Sequence, residues 1–165
     1  MASEGIGPYI APMSFKTEHR LGVPASSTVI WEVLSDLDRW PEWNPLYPKI
    51  AGALRIGHRL ELVEAFADTP PKLIRPTVVD WVPNAQILWS LSEAGGFIRR
   101  LRYIEIEPLD DEDTGCILSN GEVYQGLVGE RVGKRIRRRL RAGFEAFNAA
   151  CAERVARHVA AKAGS

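Results

Sequence analysis

The stretch running Val132-Gly133-Lys134-Arg135-Ile136-Arg137-Arg138-Arg139-Leu140-Arg141-Ala142-Gly143-Phe144-Glu145-Ala146-Phe147 and on to Val159 decides how the chain is read. Val132, Ile136, Leu140, Phe144, Phe147, Cys151, Val155 and Val159 recur at intervals of four or three residues. That places them on one apolar stripe of a helix of about thirty residues, expected over 128–159. Alone in water such a helix would expose its stripe, so it must lie against another layer.

The residues before it supply that layer. Strands are expected near 47–55, 58–67, 72–82, 86–93, 97–108 and 115–125, with breaks at Gly57, Pro70-Pro71, Pro83-Asn84, Gly95-Gly96 and the acidic run Asp110 to Asp113. Pro76 falls inside one run and marks an edge or bulged strand. Short breaks between successive strands favour an antiparallel meander. Ahead of this block, Phe15, Thr17, His19, Leu21 and Val23 alternate with Lys16, Glu18 and Arg20, a half-buried strand that Pro24 ends. Ser26 or Ser27 can cap a helix with the stripe Ile30, Val33, Leu34 and Leu37, which must stop before Pro41. Trp40-Pro41-Glu42-Trp43-Asn44-Pro45 then makes a compact turn or a second short helix. The order is α+β: one strand, two short helices, six strands, one long helix. Residues 1–13 are expected to be a loose leader, 14–160 a single folded domain and 161–165 a tail.

Composition narrows the function classes. Lys+Arg and Asp+Glu both number 21, so the chain lacks the basic excess of a generic nucleic-acid binder. Cys116 and Cys151 lack the spacing of a disulfide scaffold or zinc knuckle, and His19, His58 and His158 are scattered, so no metal site is expected. No run reaches the ~18 apolar residues of a membrane span. The start resembles no secretory signal, and the expected setting is cytoplasmic. Phosphate loops, dinucleotide fingerprints and nucleophile elbows are all missing, so no cofactor is expected.

Ile30-Trp31-Glu32-Val33-Leu34, Asp38-Arg39-Trp40-Pro41-Glu42-Trp43-Asn44-Pro45, Ile87-Leu88-Trp89, Ile104-Glu105-Ile106-Glu107-Pro108 and Gly143-Phe144-Glu145-Ala146-Phe147-Asn148 follow one another in a telling order. Over roughly Phe15 to Val159 the chain resembles the SRPBCC (START-like) superfamily, in its polyketide cyclase/dehydrase branch. That resemblance implies the helix-grip fold, a seven-stranded curved antiparallel sheet around the terminal helix with a cavity between them. It does not choose an activity, because the branch is similar across binding proteins and aromatase/cyclases.

Side chains alternate across a strand, so the hairpin 97–125 indicates which residues face inward. One register sets Arg100 opposite Glu122, another sets Arg102 there. In both, Ile98, Arg100, Arg102, Ile104 and Ile106 share the inner face with Cys116, Leu118, Asn120, Glu122 and Tyr124. Tyr103, Glu105, Glu107, Ser119, Gly121 and Gln125 are expected toward solvent. A buried carboxylate needs a partner, so Glu122 should pair with one of the two arginines, either as scaffold or to orient a ligand's oxygen. The expected cavity is bounded by Trp89, Ile98, Ile104, Leu118, Tyr124, Leu140 and Phe144, with Phe147 also inward. Trp40 and Trp43 read as a plug at the base of the sheet, and His19 as a satisfied core histidine.

The run Lys134, Arg135, Arg137, Arg138, Arg139 and Arg141 opposes the helix macrodipole, which disfavours cations near an N-terminus. A solvated face, steering of an anion and docking to an acidic surface all fit it. Three functions remain in view. The foremost is binding of a small hydrophobic molecule (aromatic, polyketide-like or lipid-like). The others are a cyclase, aromatase or dehydratase using cavity acid/base groups, and an interaction module with a filled core. A homodimer is left open.

Overall fold

Pro24 stops strand β1 (Ser14–Val23), and three residues later α1 (Ser27–Ser35) begins under a double cap. The Ser26 hydroxyl accepts from Val29 N at 3.4 Å. Asp113, far along the chain, accepts from Ser27 N at 2.8 Å and from Ser27 Oγ at 2.7 Å. A 3-10 turn, Leu37–Glu42, holds the expected Trp40-Pro41 pair. Then follow β2 (Lys49–Ala51), β3 (Glu61–Glu64), β4 (Lys72–Ile74), β5 (Thr77–Val82), β6 (Gln86–Glu93), β7 (Ile98–Pro108), β8 (Cys116–Gln125) and α2 (Gly129–Ala163). The computed structural model describes residues 14–164, so the expected leader over 1–13 lies outside the described residues.

Every strand pairing is antiparallel, in the orders β1-β8-β7-β6-β5 and β2-β3-β4. Among the described residues the expected seven strands are thus eight, in two sheets. The expected strand 72–82 divides at Pro76, which has no N–H to give the ladder. Its carbonyl still accepts from Leu60 N (2.9 Å) and Val78 N reaches His58 O (2.9 Å), which stitches the sheets together. β5 shifts register again between Val78 and Asp80, and it is an edge strand, as its proline requires.

Helix α2 runs unbroken across β1 and β8. It continues to Ala163, into the expected tail. Its stripe is sealed at Leu140, Phe144, Phe147, Cys151 and Val155, while Val159 is 44% exposed because the sheet has ended beneath it. Asn148 fastens the helix to the sheet: its Nδ2 donates to His19 O (3.1 Å) and Leu118 O (3.3 Å) and lies 3.0 Å from His19 Nδ1. His19 is a structural contact, as expected.

The far face of the hairpin corrects an expectation. Tyr103, Ser119, Gly121 and Gln125 are buried rather than solvated. Leu88, Leu101, Tyr103 and Val123 form a second apolar cluster there, with Tyr103 lying across Gly121 and donating its hydroxyl proton to Glu18. Glu107 alone of the six is exposed, and Glu105 is half-buried.

Candidate functional site

Register sets Arg102 opposite Glu122 and Arg100 opposite Tyr124. Reach then overrides register. Arg100, not Arg102, is the ion-pair partner of Glu122, through its Nε and its Nη2 (3.3 Å). The same guanidinium meets a second carboxylate, Glu64 of β3, at 2.6 Å. Glu93 Oε2 stands 3.6 Å from Arg100 Nη1 and also holds Lys72. Leu60, Leu62 and Glu64 share one buried face, an alternation visible in the sequence. Burial lifts the Glu122 carboxyl above the usual carboxylate range, against the pull of Arg100. Burial alone would depress Arg100, but Glu122 and Glu64 hold its pKa well above the ordinary value. One guanidinium, Arg100, thus answers two buried carboxyls, Glu64 and Glu122, with Glu93 at its margin.

Arg102 goes elsewhere. Its Nη1 donates to the carbonyls of Tyr103 and Gly121, both at 2.8 Å, and its Nε to the Tyr47 hydroxyl at 3.1 Å. The guanidinium lies over the Phe144 ring, 4.2 Å from its centroid, a cation–π contact in a dry setting. Nη2 has no partner among the described residues. Neither atom of the Asn120 side-chain amide has one either, although Asn120 is fully buried beside Ile104 and His19. These groups sit diagonally on the inner face of β7 and β8. Each unsatisfied group costs roughly 1–3 kcal/mol, so a ligand oxygen or a water is favoured there.

Aromatic rings surround Arg102, whose guanidinium also lies 6.0 Å from the Tyr47 ring and 5.9 Å from the Trp89 ring. Trp40 stacks on Tyr47 (6.0 Å, 23°) and meets Phe147 edge-on (5.5 Å), while Trp89 packs edge-on against Tyr47 (5.8 Å). Trp40 Nε1 donates to Leu34 O at 3.0 Å, which fits the expected plug. Trp89, Ile104, Leu118, Tyr124, Leu140, Phe144 and Phe147 belong to one buried cluster with Ile98 at its margin. Burial also raises the hydroxyl pKa values of Tyr47 and Tyr124, so both remain protonated donors.

The expected cavity was to be bounded by these side chains, but an open cleft of about 610 Å³ has none of them in its lining: it lies between α2 and two crossing segments, lined by Pro45, Leu46, Ala65, Phe66, Ala67, Asp68, Arg138, Arg139, Ala142, Gly143 and Ala146. Leu46 precedes Tyr47, Ala65 follows Glu64, and Gly143 precedes Phe144, so three of its lining residues are chain neighbours of the polar group or of the aromatic residues around it. Leu46, Phe66, Gly143 and Glu64 were not picked out from sequence. They come from three separate segments, and nothing local announces their meeting. Among the described residues there is no group of three or more His, Cys, Asp or Glu placed to hold a metal, and no helix is long and apolar enough to cross a membrane.

The fold has many solved counterparts. Norcoclaurine synthase from Thalictrum flavum, in complex with dopamine and hydroxybenzaldehyde, is 18% identical with a TM-score of 0.68, covering 96% of this chain and 95% of that one. The Zhui aromatase/cyclase from Streptomyces sp. R1128 is 17% identical at a TM-score of 0.68, covering 89% and 96%. A START superfamily protein from Mycobacterium smegmatis is 18% identical at 0.68, covering 86% and 97%. At these identities the likeness is one of fold. No curated protein matches the sequence. Residues 14–156 match the family described as polyketide cyclase / dehydrase and lipid transport, and the chain belongs to that family.

Proposed function

We propose that the chain binds a small, largely apolar molecule, aromatic, polyketide-like or lipid-like, in the cleft against α2, with an oxygen turned inward to Arg102 and Asn120. The observation that carries this reading is the pair of unpartnered buried groups, Arg102 Nη2 and the Asn120 amide, on the inner face of a sheet whose helix α2 also borders an apolar cleft. Entry to them requires Leu46 and Phe66 to swing aside. The inward residues of the sheet and helix then become the ligand's surroundings: Trp89, Ile98, Ile104, Leu118, Leu140, Phe144 and Phe147 as apolar wall, with Arg100, Glu122 and Tyr124 as polar floor. The bound aromatic ligands of the norcoclaurine synthase relative accord with such a ligand class.

Titration with 1-naphthol and with naphthalene tests the reading. Tighter binding of the naphthol, with that preference lost in Asn120→Leu, is the expected result. Equal binding of the two by the unaltered protein overturns the inward oxygen, and no binding of either overturns the cleft as a site.

Catalysis is a second reading, favoured by the Glu122 carboxyl that burial lifts above its usual range. A carboxyl whose pKa is raised holds its proton to higher pH than an ordinary carboxylate, the direction a proton donor to a ligand carbonyl needs. The family includes a cyclase/dehydrase designation, which suits that chemistry. Incubation with a poly-β-ketone thioester and chromatography of the products tests it. Cyclised product that disappears in Glu122→Gln, with binding kept, is the expected outcome.

A further inference from the structure

Beside the cleft lies a second hollow of about 400 Å³, lined by Asp68, Val132, Arg135, Ile136, Arg138 and Arg139. The two share Asp68, Arg138 and Arg139, so they form one trough along α2 from Val132 to Ala146. At about 1.5 Å of rise per residue that is a length of roughly 20 Å, suited to an elongated molecule. One end is apolar and the middle is cationic.

The cations in the trough are not equivalent. Arg139 Nε is answered by both oxygens of Asp68, at 2.8 and 3.0 Å. Arg135 and Arg138 have no hydrogen-bond or ion-pair partner among the described residues, and they stand three apart on one side of the helix. Two free guanidiniums three residues apart on one helix face raise one another's energy. An oxyanion relieves this, since each planar fork matches a carboxylate or phosphate. The cationic hollow is bounded across from α2 by Asp68 and runs into the cleft lined by Leu46 and Phe66, so the concave trough fits a single elongated molecule better than a flat membrane or protein surface.

We propose that the occupant of the cleft is an anionic amphiphile, its apolar body along Leu46, Phe66, Gly143 and Ala146 and its oxyanion held by Arg135 and Arg138. This rests on the binding reading above and names the class of ligand. Carboxylate and phosphate share the needed chemistry, and the two are separated by the test.

Calorimetric titration with decanoate, decyl phosphate and decanol, each below its aggregation threshold, provides that test. One or both anions should bind about tenfold or more tightly than the alcohol, the scale of a charge-assisted hydrogen bond. The tighter anion identifies the head group. Arg135→Gln/Arg138→Gln should bring anion affinity down to that of decanol and leave decanol unchanged. Lys134→Gln/Arg141→Gln removes equal charge from residues that line neither hollow, and it should preserve the preference within about twofold, because exposed charges are screened. Decanol bound as tightly as both anions overturns the inference and leaves the binding reading standing. So does an equal loss in the control variant, which would mean a diffuse field. If none of the three binds, both readings fall.

Discussion

Phe66 occupies the space that a side chain on Gly143 would need: a methyl group there would fall 2.7 Å from Phe66 Cε1, 2.9 Å from Cδ1 and 3.2 Å from Leu46 Cδ1. The helix carries a glycine at this point so that an aromatic ring can close the cleft against it. Gly143→Ala should turn the ring outward. Improved helix propensity, up to about 1 kcal/mol, partly offsets overpacking of about 1–3 kcal/mol, so stability should fall by no more than about 2 kcal/mol. Affinity for a cleft ligand should change severalfold, while Phe66→Ala should speed both association and release. Stopped-flow binding of a fluorescent naphthyl ligand reads these rates, and unchanged rates in both variants would remove Phe66 as the gate.

Among the described residues Arg100 is the single cation touching Glu64 and Glu122, both nearly sealed from water. Arg100→Met should cost about 3–5 kcal/mol, because it strands two buried carboxyls. Glu122→Gln should cost less, about 1–3 kcal/mol, since Glu64 keeps Arg100 paired. Urea unfolding of both variants checks the order, and a milder effect of Arg100→Met would show that the cluster is wet.

The pH dependence of Glu122 has a definite sign. Its folded pKa lies above the unfolded value near 4.5, so the folded state binds its proton more readily. Its contribution to stability is therefore full below that value and declines as pH rises through the folded pKa. Unfolding free energies across roughly pH 4 to 8 should show a decline in the unaltered protein that Glu122→Gln removes.

Asp113 has the opposite sign. Its bonds from the Ser27 hydroxyl and backbone N–H hold its carboxyl below the ordinary value of 3.8. Stability from this cap is present above that value and is lost as pH falls through the folded pKa. Asp113→Ala should cost about 1–2 kcal/mol as a lost helix cap, with strain added because φ at this position is +51°. Asp113→Asn tolerates that φ and should cost less, with the acid-side loss gone. Thermal melts at two acidic pH values distinguish them.

A methyl group at Gly121 would fall 2.2 Å from the Tyr103 hydroxyl oxygen and 2.3 Å from Cζ. Gly121→Ala should displace that ring from the second cluster and cost about 1–3 kcal/mol. Binding in the cleft, on the other side of the sheet, should be unaffected, and near-UV circular dichroism should report the change at Tyr103.

The long helix, the strands, the plug at Trp40 and the inward face carrying Arg100, Arg102, Asn120 and Glu122 were legible before any coordinates. Each rests on a period of 3.6 or 2 that repeats along neighbouring residues. Pro76 likewise marked where a strand would weaken, though not that one strand would become two. The sequence by itself therefore determined the layers and which side chains turn inward. Tertiary structure alone decided that Glu122 takes Arg100 rather than its register partner Arg102, because Glu64 arrives from another sheet and draws the same guanidinium. It also decided that Leu88, Leu101 and Val123 form a second apolar cluster, and that open space lies among Leu46, Phe66 and Gly143. Long side chains reach past their own register and cavities form where distant segments fail to meet, so neither is encoded by any local pattern.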